Sequence, residues 1–151
     1  MRGEIAEQYF LQGYNCSQSV LLAFSDLINI DKKDLAKLAL PLGGGLGRLR
    51  LTCGAVTGMS LAAGYIFGKD EPSDTDKSKM YEITRELIKR FEEKYQTITC
   101  KELLEKAKVV AEIGGNAEKR TTEYYKARPC AALVHDAAEI LEEYLKEENI
   151  I

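Results

Sequence analysis

The sequence predicts an all-α fold, and three observations carry that prediction. Apolar residues recur at three- and four-residue spacing along most of the chain. No run alternates apolar and polar residues as a half-buried strand would. Residues that start and stop helices punctuate the apolar faces. The 151 residues are expected to form a single domain, 1–151, with room for a real core. The natural architecture is a compact bundle of about five to seven helices around a central Gly/Ala-rich buried helix.

The elements follow in chain order. Ile5, Ala6, Tyr9 and Phe10 make a short apolar face that stops at Gly13. Asn15 and Gln18 have capping-box spacing, and Val20, Leu21, Phe24, Leu27 and Ile28 form the face behind them. Asp31 caps a third helix bearing Leu35, Leu38, Ala39 and Leu42, and the run Gly43-Gly44-Gly45-Leu46-Gly47 breaks the chain. Thr52 opens the central apolar helix, which ends near Gly68; Lys69 to Asp76 reads as a loop. Tyr81, Thr84, Leu87, Ile88, Phe91 and Tyr95 return at helical spacing. Thr99-Cys100-Lys101-Glu102 has the S/T-x-x-E form of a capping box, with Leu103, Leu104, Ala107, Val110 and Ala111 continuing to Gly114-Gly115. Asn116 to Arg128 is polar and has room for a short helix. Pro129 begins the last helix, whose face is Leu133, Val134, Ala137, Ile140, Leu141, Tyr144 and Leu145.

Composition narrows the function. The chain is 45% hydrophobic and 30% charged, as ordinary soluble proteins are. A net charge of −3 without a basic, aromatic-studded stripe argues against nucleic-acid binding. Met1-Arg2-Gly3-Glu4 lacks the apolar core of a signal peptide, so a cytoplasmic location is expected. Thiols stay mostly reduced there, and structural disulfides are not the first expectation. Leu51 to Gly68 carries no charge, but it is short, rich in Gly and Ala, and bracketed by Arg50 and Lys69. A helix buried in protein is expected there, not membrane insertion.

The four cysteines, Cys16, Cys53, Cys100 and Cys130, each follow a helix-start residue: Asn15, Thr52, Thr99 and Pro129. Unpaired amides and positive partial charge at a helix N-terminus stabilise a thiolate, the form that attacks disulfides and binds metal. Arg128 beside Cys130, and Arg48 and Arg50 before Cys53, would raise the thiolate fraction. His135, the only histidine, lies about 140° round the helix from Cys130 and is expected to have a surface or packing role.

Spacing also excludes several designs. There is no Cys-x-x-Cys, no Cys-x-x-Cys-His for covalent haem and no paired zinc knuckle. The glycine run lacks the third glycine of a dinucleotide fingerprint and the Gly-Lys-Ser/Thr of a phosphate loop, so neither haem nor nucleotide is expected. Its expected role is a sharp turn or close backbone approach. Gly54, Gly58 and Ala62 recur every four residues, which lets a second backbone, and with it a second cysteine, come close.

These residues resemble a known family. Cys53-Gly54-Ala55-Val56-Thr57-Gly58 is similar to a Cys-Gly-Ala-x-x-Gly motif. Gly13-Tyr14-Asn15-Cys16-Ser17-Gln18-Ser19-Val20 is similar to the family's N-terminal block, and Cys100 and Cys130 fall where its last two cysteines would. This is the C_GCAxxG_C_C family of small redox-active proteins, and the similarity runs from about Ile5 to Leu145. The resemblance implies a redox role for Cys16, Cys53, Cys100 and Cys130. Related sequence occurs in split-Soret cytochromes, which carry haem and an iron–sulfur centre, but the haem-attachment motif is missing here.

The leading expectation is a thiol-based redox protein, with cysteines at helix starts meeting in an electropositive, partly buried pocket as a dithiol/disulfide site. Its partner would be a redox protein or a small thiol or disulfide. The second is an iron–sulfur or zinc protein with the same four cysteines as ligands. The third is a helical interaction module with inert cysteines. The Gly/Ala face leaves a homodimer open.

Overall fold

The computed structural model describes all residues, Met1–Ile151. It holds eight α-helices and no strand: α1 (Arg2–Leu11), α2 (Cys16–Leu22), α3 (Lys32–Ala39), α4 (Gly54–Phe67), α5 (Asp74–Tyr95), α6 (Cys100–Lys106), α7 (Thr122–Ala127) and α8 (Cys130–Glu147). The helix beyond the expected seven is α7, a single short element in the polar stretch after Asn116. None of the helices is long and apolar enough to cross a membrane.

The buried apolar side chains form one connected cluster reaching from Ala6 on α1 to Leu145 on α8. Helix α2 is its most enclosed part, with every residue from Ser17 to Leu22 buried. It packs on α1, α3, α4 and α8. The Gly/Ala face of α4 meets it at van der Waals limits. A Cβ at Gly54 would lie 3.0 Å from Cys16 Cβ, and one at Gly58 would lie 2.5 Å from the Ser17 carbonyl oxygen. Further along the same stripe, toward the C-terminal end of α4, Leu61 and Tyr65 are exposed. Helix α1 lies along α8, and the long α5 buries Ile83, Leu87 and Phe91 against α4 and α8. Each such buried side chain contributes about 1.5–3 kcal/mol.

Several boundaries differ from the sequence reading for local reasons. The face running to Ile28 is not one helix: α2 ends at Leu22, and Ser25–Leu27 is a separate 3-10 turn. The Arg2 guanidinium donates to the Ala23 carbonyl at 2.9 Å and pairs with Asp26 at 2.7 Å, which satisfies the chain where the helix stops. Helix α6 stops at Lys106, well short of Gly114. Lys108 adopts φ +61°, its amide donates to the Glu105 carbonyl, and the Val109 amide donates to the Leu104 carbonyl. That is a Schellman closure with lysine in the place usually held by glycine.

Thr52 does not open α4. It pairs with Thr99 in an isolated antiparallel bridge, and Cys53 is the N-cap residue. Thr99 precedes α6 but its hydroxyl makes no capping bond, so the expected capping box at Thr99–Glu102 is not formed. Pro129 is the N-cap of α8 and not its first helical residue. The bridge is extended by bonds from the Cys53 amide to the Ile98 carbonyl at 2.7 Å and from the Cys100 amide to the Leu51 carbonyl at 2.6 Å.

The glycine run turns and packs closely, as its composition suggests. Gly44, Gly45, Leu46, Gly47 and Arg48 all have φ between +57° and +73°, a short left-handed turn, and Arg50 has φ +59°. A Cβ at Gly45 would sit 2.6 Å from the Leu51 amide nitrogen. Leu46, Arg48 and Arg50 cost of order 1–3 kcal/mol each in this conformation.

Candidate functional site

The structure brings Cys16, Cys53, Cys100 and Cys130 to the wall of one cavity of about 60 Å³, which Arg50, Arg120 and Arg128 also line. Three of the cysteines are the first residues of α2, α6 and α8; Cys53 is one step earlier, at the cap of α4. All four are free thiols.

Each is placed by its own neighbourhood. Asn15 and Gln18 form the expected capping box ahead of Cys16. Around it, Asn15 Nδ2 donates to the Leu40 carbonyl (2.9 Å), Ser17 Oγ to the Ala39 carbonyl (2.7 Å) and Gln18 Nε2 to the Ala36 carbonyl (2.9 Å). These bonds tie the start of α2 to the C-terminal end of α3, whose last carbonyls need donors. Gly54 then lets Cys16 reach the cavity. Cys53 and Cys100 are held together by the Thr52–Thr99 bridge. Arg50 Nη1 lies 3.8 Å from Cys100 Sγ, and its Nε donates to the Glu112 carbonyl at 2.9 Å.

Cys130 is reached through Arg128, whose guanidinium pairs with Glu118 and lies 4.8 Å from the centre of the Tyr124 ring. Arg120 stands 4.2 Å over the Phe10 ring and donates to the Phe10 and Tyr14 carbonyls at 2.9 and 3.0 Å.

The four thiols are not equivalent. Hydrogen bonding with Cys130 holds Cys16 well above the ordinary thiol range, with burial adding to the effect. The same bond lowers Cys130; burial opposes it, and Arg128, Arg120 and Arg50 support it. Burial pushes Cys53 up to about 12, against the pull of the Ala55 and Val56 amides. Burial also raises Cys100, partly offset by Arg50. Helix starts were expected to favour the thiolate at all four positions. Desolvation outweighs that effect at Cys53 and Cys100, while at Cys16 the bond with Cys130 comes first. Only at Cys130 do bonding and positive charge together outweigh burial, the balance that sequence reasoning assigned to the whole set.

A tetrahedral zinc ion with Zn–S bonds of about 2.3 Å places its sulfurs about 3.8 Å apart. No three of the four sulfurs lie mutually within 4.8 Å. The cavity as built therefore does not fit zinc held by three or four thiolates.

His135 lies away from the cavity. Its Nδ1 is 3.0 Å from Asp136 and its Nε2 is 3.5 Å from Glu139. Asp136 also accepts from the Tyr95 hydroxyl. The expected surface and packing role suits this position, since a Cβ at Gly3 would touch the ring at 2.8 Å. Sequence reasoning missed Arg120 and Tyr124, which line the cavity from the polar segment after Asn116. The available signal was weak: an arginine close to paired tyrosines and to Arg128-Pro129-Cys130.

An all-helical protein with four cysteines around one cationic cavity is a thiol-centred class of molecule. The chain belongs to the C_GCAxxG_C_C family, described as "Putative redox-active protein (C_GCAxxG_C_C)", whose model matches residues 14–144. No curated protein and no solved structure matches the chain. The family's name spells Gly-Cys-Ala-x-x-Gly, so the order Cys53-Gly54 exchanges its first two positions and is not an identity with them. The exchange has a structural correlate: position 54 is the one pressed against Cys16. Glycine there lets α2 approach, and the cysteine moves to the cap.

Proposed function

We propose that the chain is a dithiol/disulfide redox protein in which Cys130 attacks and Cys16 resolves. The single observation that carries this reading is that Cys16 and Cys130, the first residues of two helices, line one cavity together with three guanidiniums. A lowered pKa increases the thiolate fraction of Cys130, and a raised one keeps the proton on Cys16 until it is needed. The Cys130 thiolate attacks one sulfur of a substrate disulfide. The Cys130–S bond forms, the substrate S–S bond breaks, and one substrate half leaves as a thiolate. Cys16 then loses its proton to solvent or to that thiolate and attacks the Cys130 sulfur. The mixed disulfide breaks, the second half leaves, and a Cys16–Cys130 disulfide remains. The protein gives up two electrons and the substrate disulfide becomes two thiols. A redox partner protein or a small thiol restores the dithiol.

Cys53 and Cys100 line the same cavity, and burial raises the pKa of both. The reading suits a reducing compartment such as the cytoplasm, and residues 1–151 act in it as one redox domain.

The test is a thiol count by mass spectrometry before and after mild oxidation. Loss of two thiols, mapped to Cys16 and Cys130, is expected. Retention of all four free thiols overturns the reading.

A second reading is favoured by the donor set alone: four cysteines around one cavity match the ligand complement of an iron–sulfur cluster. Cys16, Cys53, Cys100 and Cys130 would hold it, and it would supply one-electron transfer. A cavity of about 60 Å³ has room for a few waters, so this reading requires its walls to separate. Anaerobic purification with iron analysis and visible absorbance decides it, and a colourless, iron-free protein removes it.

A further inference from the structure

The cysteine cavity opens into a groove of about 360 Å³. Asn15, Gly44, Arg50, Arg120, Tyr124 and Arg128 border both spaces, so the groove is the approach to the sulfurs. Arg48 joins on the groove side only. Four arginines thus face one channel, and Glu118, which pairs with Arg128 and lies 3.8 Å from Arg48, is the sole carboxylate lining it. This concentration of positive charge occurs on a chain whose net charge is −3. Such a cleft raises the local concentration of anions and their association rate.

The arginines also have unused capacity. Arg48 Nε is buried without a hydrogen-bond partner. The backbone amides of Gly44 and Gly45, at the junction of groove and cavity, make no backbone hydrogen bond. A buried guanidinium nitrogen without an acceptor is uncommon, and a bound anion is one way to satisfy it, with the neighbouring glycine amides free to contribute. The strained left-handed turn aims Arg48 and Arg50 to the same side, and backbone strain of this kind clusters at ligand sites. The groove's volume falls in the range of small-molecule sites.

We propose that this groove binds a small anionic disulfide or thiol, its carboxylates held by Arg48 and Arg120 and its sulfur delivered to Cys130. The proposal rests on the dithiol reading for its chemistry, but the anion site itself is independent of electron transfer. The step is the one already balanced: Cys130 forms the mixed disulfide, one carboxylated thiolate leaves, and Cys16 releases the second.

Three disulfides of similar length test it on the reduced, full-length protein at low ionic strength: dithiodipropionate (a dianion), bis-hydroxyethyl disulfide (neutral) and cystamine (a dication). The initial rate of thiol loss is expected to fall in that order, with about a tenfold spread or more between the ends. Added salt should compress the spread, because exposed charge is screened within about 10 Å at 0.1 M. Arg48→Gln should cut the ratio of dianion to neutral rates. Three rates within twofold of one another overturn the anion site and leave the dithiol reading standing.

Thiodipropionate, a thioether that cannot exchange, separates the two ideas. Its binding to the wild-type protein by calorimetry, weakened in Arg48→Gln, supports the groove even if no disulfide oxidises the protein. Absence of binding at millimolar concentration overturns it.

Discussion

Cys16 and Cys130, the first residues of α2 and α8, line the same cavity, and the pairing of their thiols moves the two in opposite directions. Removing Cys16 should therefore slow its neighbour. In Cys16→Ala, Cys130 loses the largest cause of its lowered pKa. Its alkylation by iodoacetamide, followed against pH, should inflect at higher pH than in the wild type. In the wild type the fast phase should inflect below the ordinary thiol value of about 8.5 and vanish in Cys130→Ser.

Cys53 should behave as a core residue. It is 4% exposed, and burial pushes its pKa up to about 12. In the native protein it should resist alkylation at mildly alkaline pH and react fully only in denaturant. Cys53→Ala should change the urea midpoint by less than a large-to-small core substitution, about 2–5 kcal/mol, would.

Two glycines of α4 should respond oppositely to alanine. A Cβ at Gly58 would press the Ser17 carbonyl at 2.5 Å, whereas one at Gly64 meets nothing within 4 Å. Gly58→Ala should cost about 1–3 kcal/mol by overpacking and slow formation of the Cys16–Cys130 disulfide, because α2 must retreat. Gly64→Ala should stabilise by about 0.4–1 kcal/mol. Chemical denaturation of both variants checks the contrast.

Arg50 is buried and its Nε donates to the Glu112 carbonyl. Arg50→Gln should cost about 1–3 kcal/mol for the bond lost and raise Cys100 further by removing the guanidinium that lowers it. Slower alkylation of Cys100, read by peptide mapping, is the accompanying signature.

His135 should make stability depend on pH. The hydrogen bond with Asp136 raises its pKa, against a small loss from burial. A raised folded pKa means a contribution fully present below the unfolded value of about 6.5. It is lost as pH rises through the folded value. His135→Gln should therefore lower the melting temperature relative to wild type below the unfolded value, and the gap should narrow as pH rises through the folded value. A gap of constant size would show that packing, not charge, governs this position.

Much of this fold is legible in the sequence because its signals are local. The Asn15–Gln18 box stands as spacing implies, and the four cysteines stand at or next to helix starts as their preceding residues suggest. Gly54 and Gly58 bring α2 close to α4 as their four-residue spacing suggests. The misreadings have physical causes. Helix α6 is closed by Lys108 in a left-handed conformation, which nothing in its chemistry advertises. Thr52 and Thr99 pair across 47 positions of sequence, a distance that no local pattern spans. The order of thiol acidities was hidden because it depends on burial and on which sulfur faces which, neither of which is a property of a residue and its neighbours in the chain. Arg120 was missed for the same reason: its partners, the Phe10 and Tyr14 carbonyls, lie over a hundred positions away.

The Thr52–Thr99 bridge divides the cavity mechanically. Cys53 and Cys100 stand on two segments strapped together by backbone bonds at 2.7, 2.6 and 3.2 Å, so their spacing changes only if those bonds break together. No backbone bond joins the segment carrying Cys16 to the one carrying Cys130. Two of the four cysteines thus ride on one strapped piece, while Cys16 and Cys130 can shift relative to each other without any backbone bond between their segments having to break.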